Sequence, residues 1–264
     1  MKNYLKKIWL YRGFILGSVK REFQSKYRSS ILGVGWIILN PLSMIIVYTI
    51  IFSGIMKSKI PGVEGTFAYS IFLCSGIIVW GLFSELTSRA LNTFIENANL
   101  LKKISFPRLC LPIIVVINSF LNFLIIFSLF TIFLIISGNF PGWPFLGVIP
   151  LMIVQILVCI GLGISLGVLN VFFRDVGQLF GLFLQFWFWL TPIVYPTNIL
   201  PKIAQEFIKI NPLVGLLDCY RAILVHRVWP NWSELWPVTI TALVFCLLGI
   251  YLFKKHIGEM LDEL

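Results

Sequence analysis

Residues 109–173 read LCLPIIVVINSFLNFLIIFSLFTIFLIISGNFPGWPFLGVIPLMIVQILVCIGLGISLGVLNVFF and contain no Asp, Glu, Lys or Arg over 65 positions. A helix needs about 20 mostly apolar residues to cross the hydrocarbon core of a bilayer, so this stretch is long enough for two crossings. Its middle, residues 137–144 (SGNFPGWP), is rich in residues that interrupt helices. We therefore predict two membrane-spanning helices joined by a turn.

Four further runs without a charged residue flank this stretch, at residues 29–56, 65–84, 176–201 and 235–253. Each is close to or above the length of one span, which gives six spans in all. They must be helices, because backbone polar groups inside lipid have to bond within their own segment. The predicted fold class is thus an all-α membrane protein with six transmembrane helices.

The composition supports this fold class and excludes others. The chain is 58% hydrophobic and 12% charged, about half the charge of an ordinary soluble domain. These values exclude a disordered chain, a secreted disulfide scaffold and an ordinary cytosolic enzyme. The five cysteines are scattered without metal-binding or redox spacing, so we expect no metal site.

The distribution of basic residues predicts the orientation. Six crossings place both termini on one side, and 14 Lys and Arg residues fall on that side against six on the other. The positive-inside rule therefore predicts that both termini are cytoplasmic. The net charge of +10 is explained by topology, so we expect no nucleic-acid partner.

Residues 5–28 are too charged to span the membrane, yet they carry an apolar stripe at helical spacing. The stripe consists of Ile8, Tyr11, Ile15, Val19, Phe23 and Tyr27. Such a helix lies in the headgroup plane, and we predict an interfacial helical region over residues 1–30. It serves as a topological anchor, or it also attracts an anionic lipid headgroup, such as a pyrophosphate, through four basic residues: Lys20, Arg21, Lys26 and Arg28.

The cytoplasmic loop 96–108 (ENANLLKKISFPR) is compatible with a short helix as far as Phe106, which precedes a proline. It is either a solvated connector or a helix that docks on a partner through Leu100, Leu101 and Ile104. Composition alone leaves both interpretations open.

The outer segment 196–235 is apolar but interrupted by charges, so it fits neither an aqueous loop nor a further span. A re-entrant helical segment explains both properties. Asp218 and Arg221 are three residues apart and can pair on one helix face, beside Tyr220.

The fifth predicted span is rich in aromatic residues. Phe180, Phe183 and Trp187 share one face by helical spacing. They are packing or interface residues, or they line a path on which sugar rings stack; Tyr48, Trp80 and Phe83 on the first two spans are further candidates for such a lining. In the fourth span, Gly163 and Gly167 predict a close helix contact.

The sequence contains neither of two common means of energy coupling. It has no GxxxxGK[ST] phosphate loop, so it does not bind ATP by that route. The spans carry no cluster of carboxylates or histidines that would relay protons or ions, and the nearest approach is the pair Glu85 and Arg89.

Four blocks in chain order resemble one known family. They are residues 21–42 (REF…KYR…LG…W…NPL), 96–108 (ENANL…KK…FPR), 173–195 (FRD…LQ…PI…Y) and 211–221 (NPL…YR). The family is that of the ABC-2 type exporter permeases, and the blocks are most similar to the transmembrane subunits of O-antigen, capsule and teichoic-acid exporters. Taken in order, the four blocks extend the resemblance over the whole chain.

The resemblance implies a homodimer of six-helix subunits in the bacterial inner membrane, completed by two copies of a separate ATPase subunit that holds ATP and Mg. The implied substrate is a polyprenyl-pyrophosphate-linked polysaccharide, with O-antigen favoured. In this chain it implies a domain at 31–256, a cytoplasmic tail at 257–264, and neither a catalytic residue nor a cofactor. The implied coupling residues are Glu96, Asn97, Ala98, Asn99, Leu100, Leu101, Lys102 and Lys103.

Two alternatives remain open. A small-lipid or drug exporter of the same superfamily would share the fold. An integral membrane glycosyl- or acyltransferase would need an acid or base near the interface. Asp175 beside Arg174, or Asp218 with His226, are the available candidates, and neither spacing forms a convincing acid–base pair.

Overall fold

The computed structural model describes residues 9–27, 35–51, 67–103 and 106–263. All regular structure in these ranges is helical. The helices are α1 (Arg12–Tyr27), α2 (Gly35–Tyr48), α3 (Ala68–Glu96), α4 (Ala98–Lys103), α5 (Cys110–Ile136), α6 (Val148–Phe172), α7 (Asp175–Leu190), α8 (Lys202–Lys209), α9 (Pro212–Leu224), α10 (Trp236–His256) and α11 (Met260–Glu263). Short 3-10 turns at Trp143–Gly147 and Trp232–Leu235 lead into α6 and α10.

Within the described ranges, four helical segments are long and apolar enough to cross a membrane. They are Ala68–Glu96, Cys110–Ile136, Trp143–Phe172 and Trp232–His256. They coincide with the second, third, fourth and sixth predicted spans, so the prediction of apolar helices at these places is confirmed.

The first and fifth predicted spans correspond to shorter helices. α2 has 14 residues and α7 has 16, and at 1.5 Å per residue α7 extends about 24 Å. α7 ends at Leu190, two residues before Pro192. A proline disfavours helical geometry at the residue before it, here Thr191, which is extended. The predicted limit of this span at residue 201 was therefore too long.

The predicted break between α5 and α6 is confirmed. α5 ends at Ile136, and Gly138 and Gly142 follow with φ of 70° and 71°. These left-handed conformations are accessible to glycine without a steric penalty. The glycines thus let the chain reverse and enter α6 through the 3-10 turn at Trp143–Gly147.

α6 is the centre of the packed core, and glycines set its distance from its neighbours. A Cβ at Gly161 would lie 2.6 Å from the backbone nitrogen of Cys246 on α10. On the opposite side, a Cβ at Gly163 would lie 2.4 Å from the Cβ of Ala90 on α3, and one at Gly167 would lie 3.0 Å from the carbonyl oxygen of Ala90. The predicted close contact at Gly163 and Gly167 is therefore confirmed.

Candidate functional site

Helix α1 packs on α5 through the predicted stripe. Ile15 and Val19 are buried against Cys110 and Ile114. Ile8 lies outside the described residues.

Two of the four predicted pyrophosphate-binding residues are placed on the exposed face of α1. Lys20 and Arg21 are both exposed, and Nη2 of Arg21 donates to Oγ of Ser18 at 3.2 Å. The side chain of Lys26 and all of Arg28 lie outside what the structure describes. Binding of pyrophosphate by these residues stays a prediction.

Beside Lys20 lies an apolar groove of about 640 Å³ between α1 and α5. Its walls are mainly Leu and Ile side chains of these two helices. Ile38 of α2 and Phe23 of α1 also line it. The groove therefore offers hydrocarbon contact next to an exposed ammonium group.

A polar cluster joins α1, α3 and α5. Arg89 forms an ion pair with Glu22, and its Nη1 lies 3.6 Å from Oε1 of Glu85. Nδ2 of Asn118 donates to Oε2 of Glu22 at 2.5 Å, and Nδ2 of Asn122 donates to Oε2 of Glu85 at 2.7 Å. These five side chains, with Phe23 and Ser25, border a cavity of about 270 Å³, which we call the polar cavity.

The sequence predicted only part of the polar cavity. Glu85 and Arg89 stood out as an ion pair four residues apart, whereas Glu22, Asn118 and Asn122 were missed. Two signals were available: Glu22 is an acidic residue in a basic helix, and Asn118 and Asn122 are four residues apart in an apolar span. That spacing places both amides on one face of α5.

The predicted coupling loop contains the short helix α4. Leu101 is 9% exposed and packs inside the chain in a cluster with Phe94, Phe253 and Met260. Leu100 is half-buried against the same cluster, and Ile104 lies outside the described residues. The apolar side of α4 is therefore occupied by this chain, because Met260 of α11 covers it.

Among the loop residues whose side chains the structure describes, the exposed ones are polar: Glu96, Asn99 and Lys102. Asn97 follows α3, and the backbone N–H groups of Leu100 and Leu101 donate to its carbonyl oxygen. Arg108 donates through Nη1 to the carbonyl oxygen of Ile257, which ties the loop to the end of α10. ATPase coupling by Glu96 to Lys103 stays a prediction.

The predicted lining aromatics are brought together. The ring centroids of Trp187 lie 4.9 Å from Phe183, 5.1 Å from Phe83 and 6.4 Å from Trp80. Phe180 lies 6.2 Å from Phe183. Tyr48 is half-buried and packs against the same core.

These rings differ in exposure. Phe83 and Phe180 are buried within the chain, at 2% and 7% exposed, whereas Phe183 is 49% exposed. Phe183 is therefore the most exposed of the three. A lining role for any of these residues stays a prediction.

The outer segment is fixed to the core by buried hydrogen bonds from α9. The hydroxyl of Tyr220 donates to Oε1 of Gln155 at 2.9 Å, and Nε2 of Gln155 donates to the carbonyl oxygen of Val79 at 2.7 Å. Tyr220 and Gln155 are fully buried. One chain of bonds thus links α9, α6 and α3.

Arg221 points into the same region of the core. Its Nη2 donates to the carbonyl oxygen of Ile193 at 2.8 Å, and its guanidinium lies 3.6 Å from the ring centroid of Phe72. Burial lowers the pKa of Arg221 to about 10, against the attraction of Asp218. Burial also raises the pKa of Asp218, more than the charge of Arg221 lowers it.

A second connection joins α7 to α9. Nε1 of Trp187 donates to Oδ1 of Asn211 at 3.1 Å, and Nδ2 of Asn211 donates to Oγ1 of Thr191 at 2.8 Å. Oδ1 of Asn211 also accepts from the backbone N–H of Leu213, so Asn211 caps the start of α9. The aromatic helix and the outer segment are therefore linked through one amide side chain.

The part of the chain that the structure describes contains no group of three or more His, Cys, Asp or Glu residues able to hold a metal ion. The four predicted sites lie at different places: the basic helix, the coupling loop, the aromatic cluster and the outer segment.

Comparison with known proteins gives a consistent result. A sequence model of the family described as ABC-2 type transporter matches residues 15–225. The chain is 30% identical over 236 residues to the O-antigen export system permease protein RfbA of Klebsiella pneumoniae, covering 89% of this chain and 88% of that protein. It is 26% identical over 266 residues to RfbA of Myxococcus xanthus, covering both in full. The polysialic acid transport protein KpsM of Escherichia coli is 23% identical, over 92% of this chain and 93% of that protein.

Proposed function

The chain belongs to the ABC-2 type transporter family, and from this membership we propose that it is the transmembrane subunit of an exporter for lipid-linked polysaccharide, with O-antigen as the favoured cargo. The observation that carries the proposal is the end-to-end match to a protein named as an O-antigen export permease. The weaker match is to a polysialic acid transport protein, and polysialic acid is also a polysaccharide, so both matches support a polysaccharide cargo.

In the proposed membrane arrangement, α2 and α7 complete six crossings with the four longer segments, and segment 196–235 re-enters the outer leaflet. Both termini lie in the cytoplasm of a bacterial cell. Three aromatic residues of α7 are exposed, Phe183, Phe186 and Trp189, and such rings suit a polar cargo that has apolar C–H faces. Two copies of the chain, with α7 near the dimer axis, would place two such surfaces opposite each other.

The energy source in this proposal is a separate ATPase subunit, present in two copies, which binds ATP and Mg. The support is the missing phosphate loop together with the exposed polar residues of the coupling loop. Because Leu101 is covered by Met260, the partner would contact Glu96, Asn99 and Lys102.

The test is reconstitution of this chain with a candidate ABC ATPase subunit from the same bacterium. We expect no ATP hydrolysis by the chain alone, and ATP-dependent transfer of lipid-linked polysaccharide into sealed vesicles by the assembled complex. Stimulation by simple lipids or drugs instead of polysaccharide would favour the small-lipid or drug exporter. Formation of a new glycoside without ATP would favour a transferase.

A matched pair of variants tests the coupling surface. Lys102→Glu reverses the charge of an exposed residue of α4, and Lys209→Glu makes the same change at an exposed residue of α8. We expect the first variant to lose transport while it inserts normally, and the second to transport as the unaltered protein does. Equal transport by both would contradict coupling through α4.

A further inference from the structure

The charge of the polar cavity differs from that of the basic helix beside it. Two carboxylates, Glu22 and Glu85, share one guanidinium, Arg89. Among the described residues that border the cavity, this leaves one net negative charge. A phosphate group is disfavoured there, because like charges at short range repel.

Asn118 supplies an independent indication of a ligand. Its Nδ2 donates to Glu22, and an ionised carboxylate can only accept, so this bond fixes which amide atom is oxygen. Oδ1 is then an acceptor that is buried without a partner among the described residues, on a side chain only 6% exposed. Buried acceptors are normally paired, so this one indicates a donor brought by a ligand.

The other lining groups favour a hydroxyl-rich ligand over an ammonium group. Arg89 and the amide of Asn122 are donors, and the glutamates are acceptors. Hydroxyl groups both donate and accept, so they match a mixed set, whereas an ammonium group only donates and cannot accept from Arg89 or Asn122. The volume, about 270 Å³, lies just below the range of about 300–1,000 Å³ for drug-sized ligands and suits a single sugar ring.

The position of the polar cavity relates it to the apolar groove. Phe23 borders both spaces, and Lys20 borders the groove. An amphiphile lying along α1 would therefore meet hydrocarbon, then a basic residue, then an acceptor-rich cavity.

We propose that the polar cavity is a binding subsite for the sugar nearest the pyrophosphate of the lipid-linked substrate. The hydrocarbon occupies the groove between α1 and α5, the pyrophosphate lies near Lys20, and the first sugar binds between Glu22, Arg89 and Asn118. This inference rests on the proposed function and adds a specificity to it: the subunit distinguishes a loaded lipid carrier from an empty one.

The test compares two probes with the full chain in nanodiscs of phosphatidylcholine and phosphatidylglycerol. One probe is a short polyprenyl pyrophosphate that carries a single hexose, and the other is the same lipid without sugar. We expect the first to bind about five- to tenfold more tightly, the worth of one or two net hydrogen bonds. Tryptophan fluorescence or native mass spectrometry gives both dissociation constants.

Variants locate the effect. Asn118→Leu should abolish the preference and leave binding of the sugar-free lipid within about twofold, because the groove and Lys20 are unchanged. Thr241→Leu, the matched control on α10 and outside the cavity, should keep the preference. Glu22→Gln removes the excess negative charge while keeping the side-chain shape, so it should strengthen binding of the sugar-free lipid.

The outcomes separate the inference from the proposed function. Equal affinity of the unaltered chain for both probes overturns the inference alone, and binding of neither probe contradicts the proposed function. Loss of binding to both probes in Asn118→Leu also overturns the inference. If added phosphatidylethanolamine competes with the sugar-bearing lipid in the unaltered chain but not in Asn118→Leu, the cavity holds a lipid ammonium group and the inference is wrong.

Discussion

The two sides of α3 differ in how they contact their neighbours: one is closely packed and the other borders a polar cavity. Two consecutive residues, Arg89 and Ala90, face the two sides. Ala90 faces α6, where a Cβ on Gly163 would lie 2.4 Å from its own Cβ. Arg89 faces α1 and α5, where it pairs with Glu22 and borders a cavity of about 270 Å³. One side excludes even a methyl group, and the other has room for a ligand.

The difference shows how a membrane protein separates stability from binding. Helices gain little from hydrophobic association inside lipid, so close contacts between small residues supply the packing. Ionisable groups in the membrane are costly and usually serve a function. Changes on the α6 side should therefore affect stability, and changes on the α1 side should affect it less.

The largest effect is expected for Gly163→Ala. The added methyl group has to displace α3 from α6, at a cost of about 2–3 kcal/mol in the free energy of unfolding. Unfolding in detergent is measured with a thiol-reactive dye, since Cys74 and Cys159 are fully buried. Ala90→Gly in the same chain should restore much of the loss.

Gly181→Ala is the control for this change. It lies on α7, and a Cβ there would meet nothing within 4 Å, so we expect unchanged or slightly higher stability. Equal losses at positions 163 and 181 would show that close packing does not stabilise the α6 side.

The next effect is expected for Tyr220→Phe, on α9, where the hydroxyl bonds to Gln155 of α6. The variant leaves Oε1 of Gln155 buried without its donor, which costs about 1–2 kcal/mol. Tyr251→Phe on α10 is the control, because Tyr251 is 60% exposed. A loss as large for Tyr251→Phe would refute the role of the buried bond; the same dye assay reports both.

The smallest effect is expected for Arg89→Gln on the α1 side. Removing the guanidinium takes away its ion pairs with Glu22 and Glu85, but the side chains involved are about a third exposed, which limits the loss to about 1 kcal/mol. High salt should reduce it by screening the two carboxylates. A salt-independent loss as large as that of Gly163→Ala would mean that the two sides of α3 do not differ in kind.

The sequence predicted well what depends on neighbouring residues. The 65-residue run without charge located α5 and α6, the glycines at 138 and 142 located the turn between them, and the spacing of Gly163 and Gly167 located a close contact. Each of these follows from composition or helical period within one segment.

The polar cavity was largely missed, because it depends on residues distant in sequence. Glu22 and Arg89 are 67 residues apart, and Glu22 and Asn118 are 96 apart, so no local spacing brings them together. The packing of α4, which composition left open, also depends on a residue distant in sequence: Leu101 lies in one apolar cluster with Met260.

The glycine contacts of α6 also have a mechanical consequence. α3, α6 and α10 touch almost backbone to backbone, and sliding any of them along its neighbour would drive side chains into spaces that hold only hydrogen atoms. The three helices should therefore move together as one rigid unit. If the subunit changes shape, the movement occurs at α7, which is held through Trp187 and Asn211, and at α1, which is held through Glu22 and Arg89. Hydrogen bonds and ion pairs of this kind can break and re-form repeatedly, while the rigid unit keeps its shape.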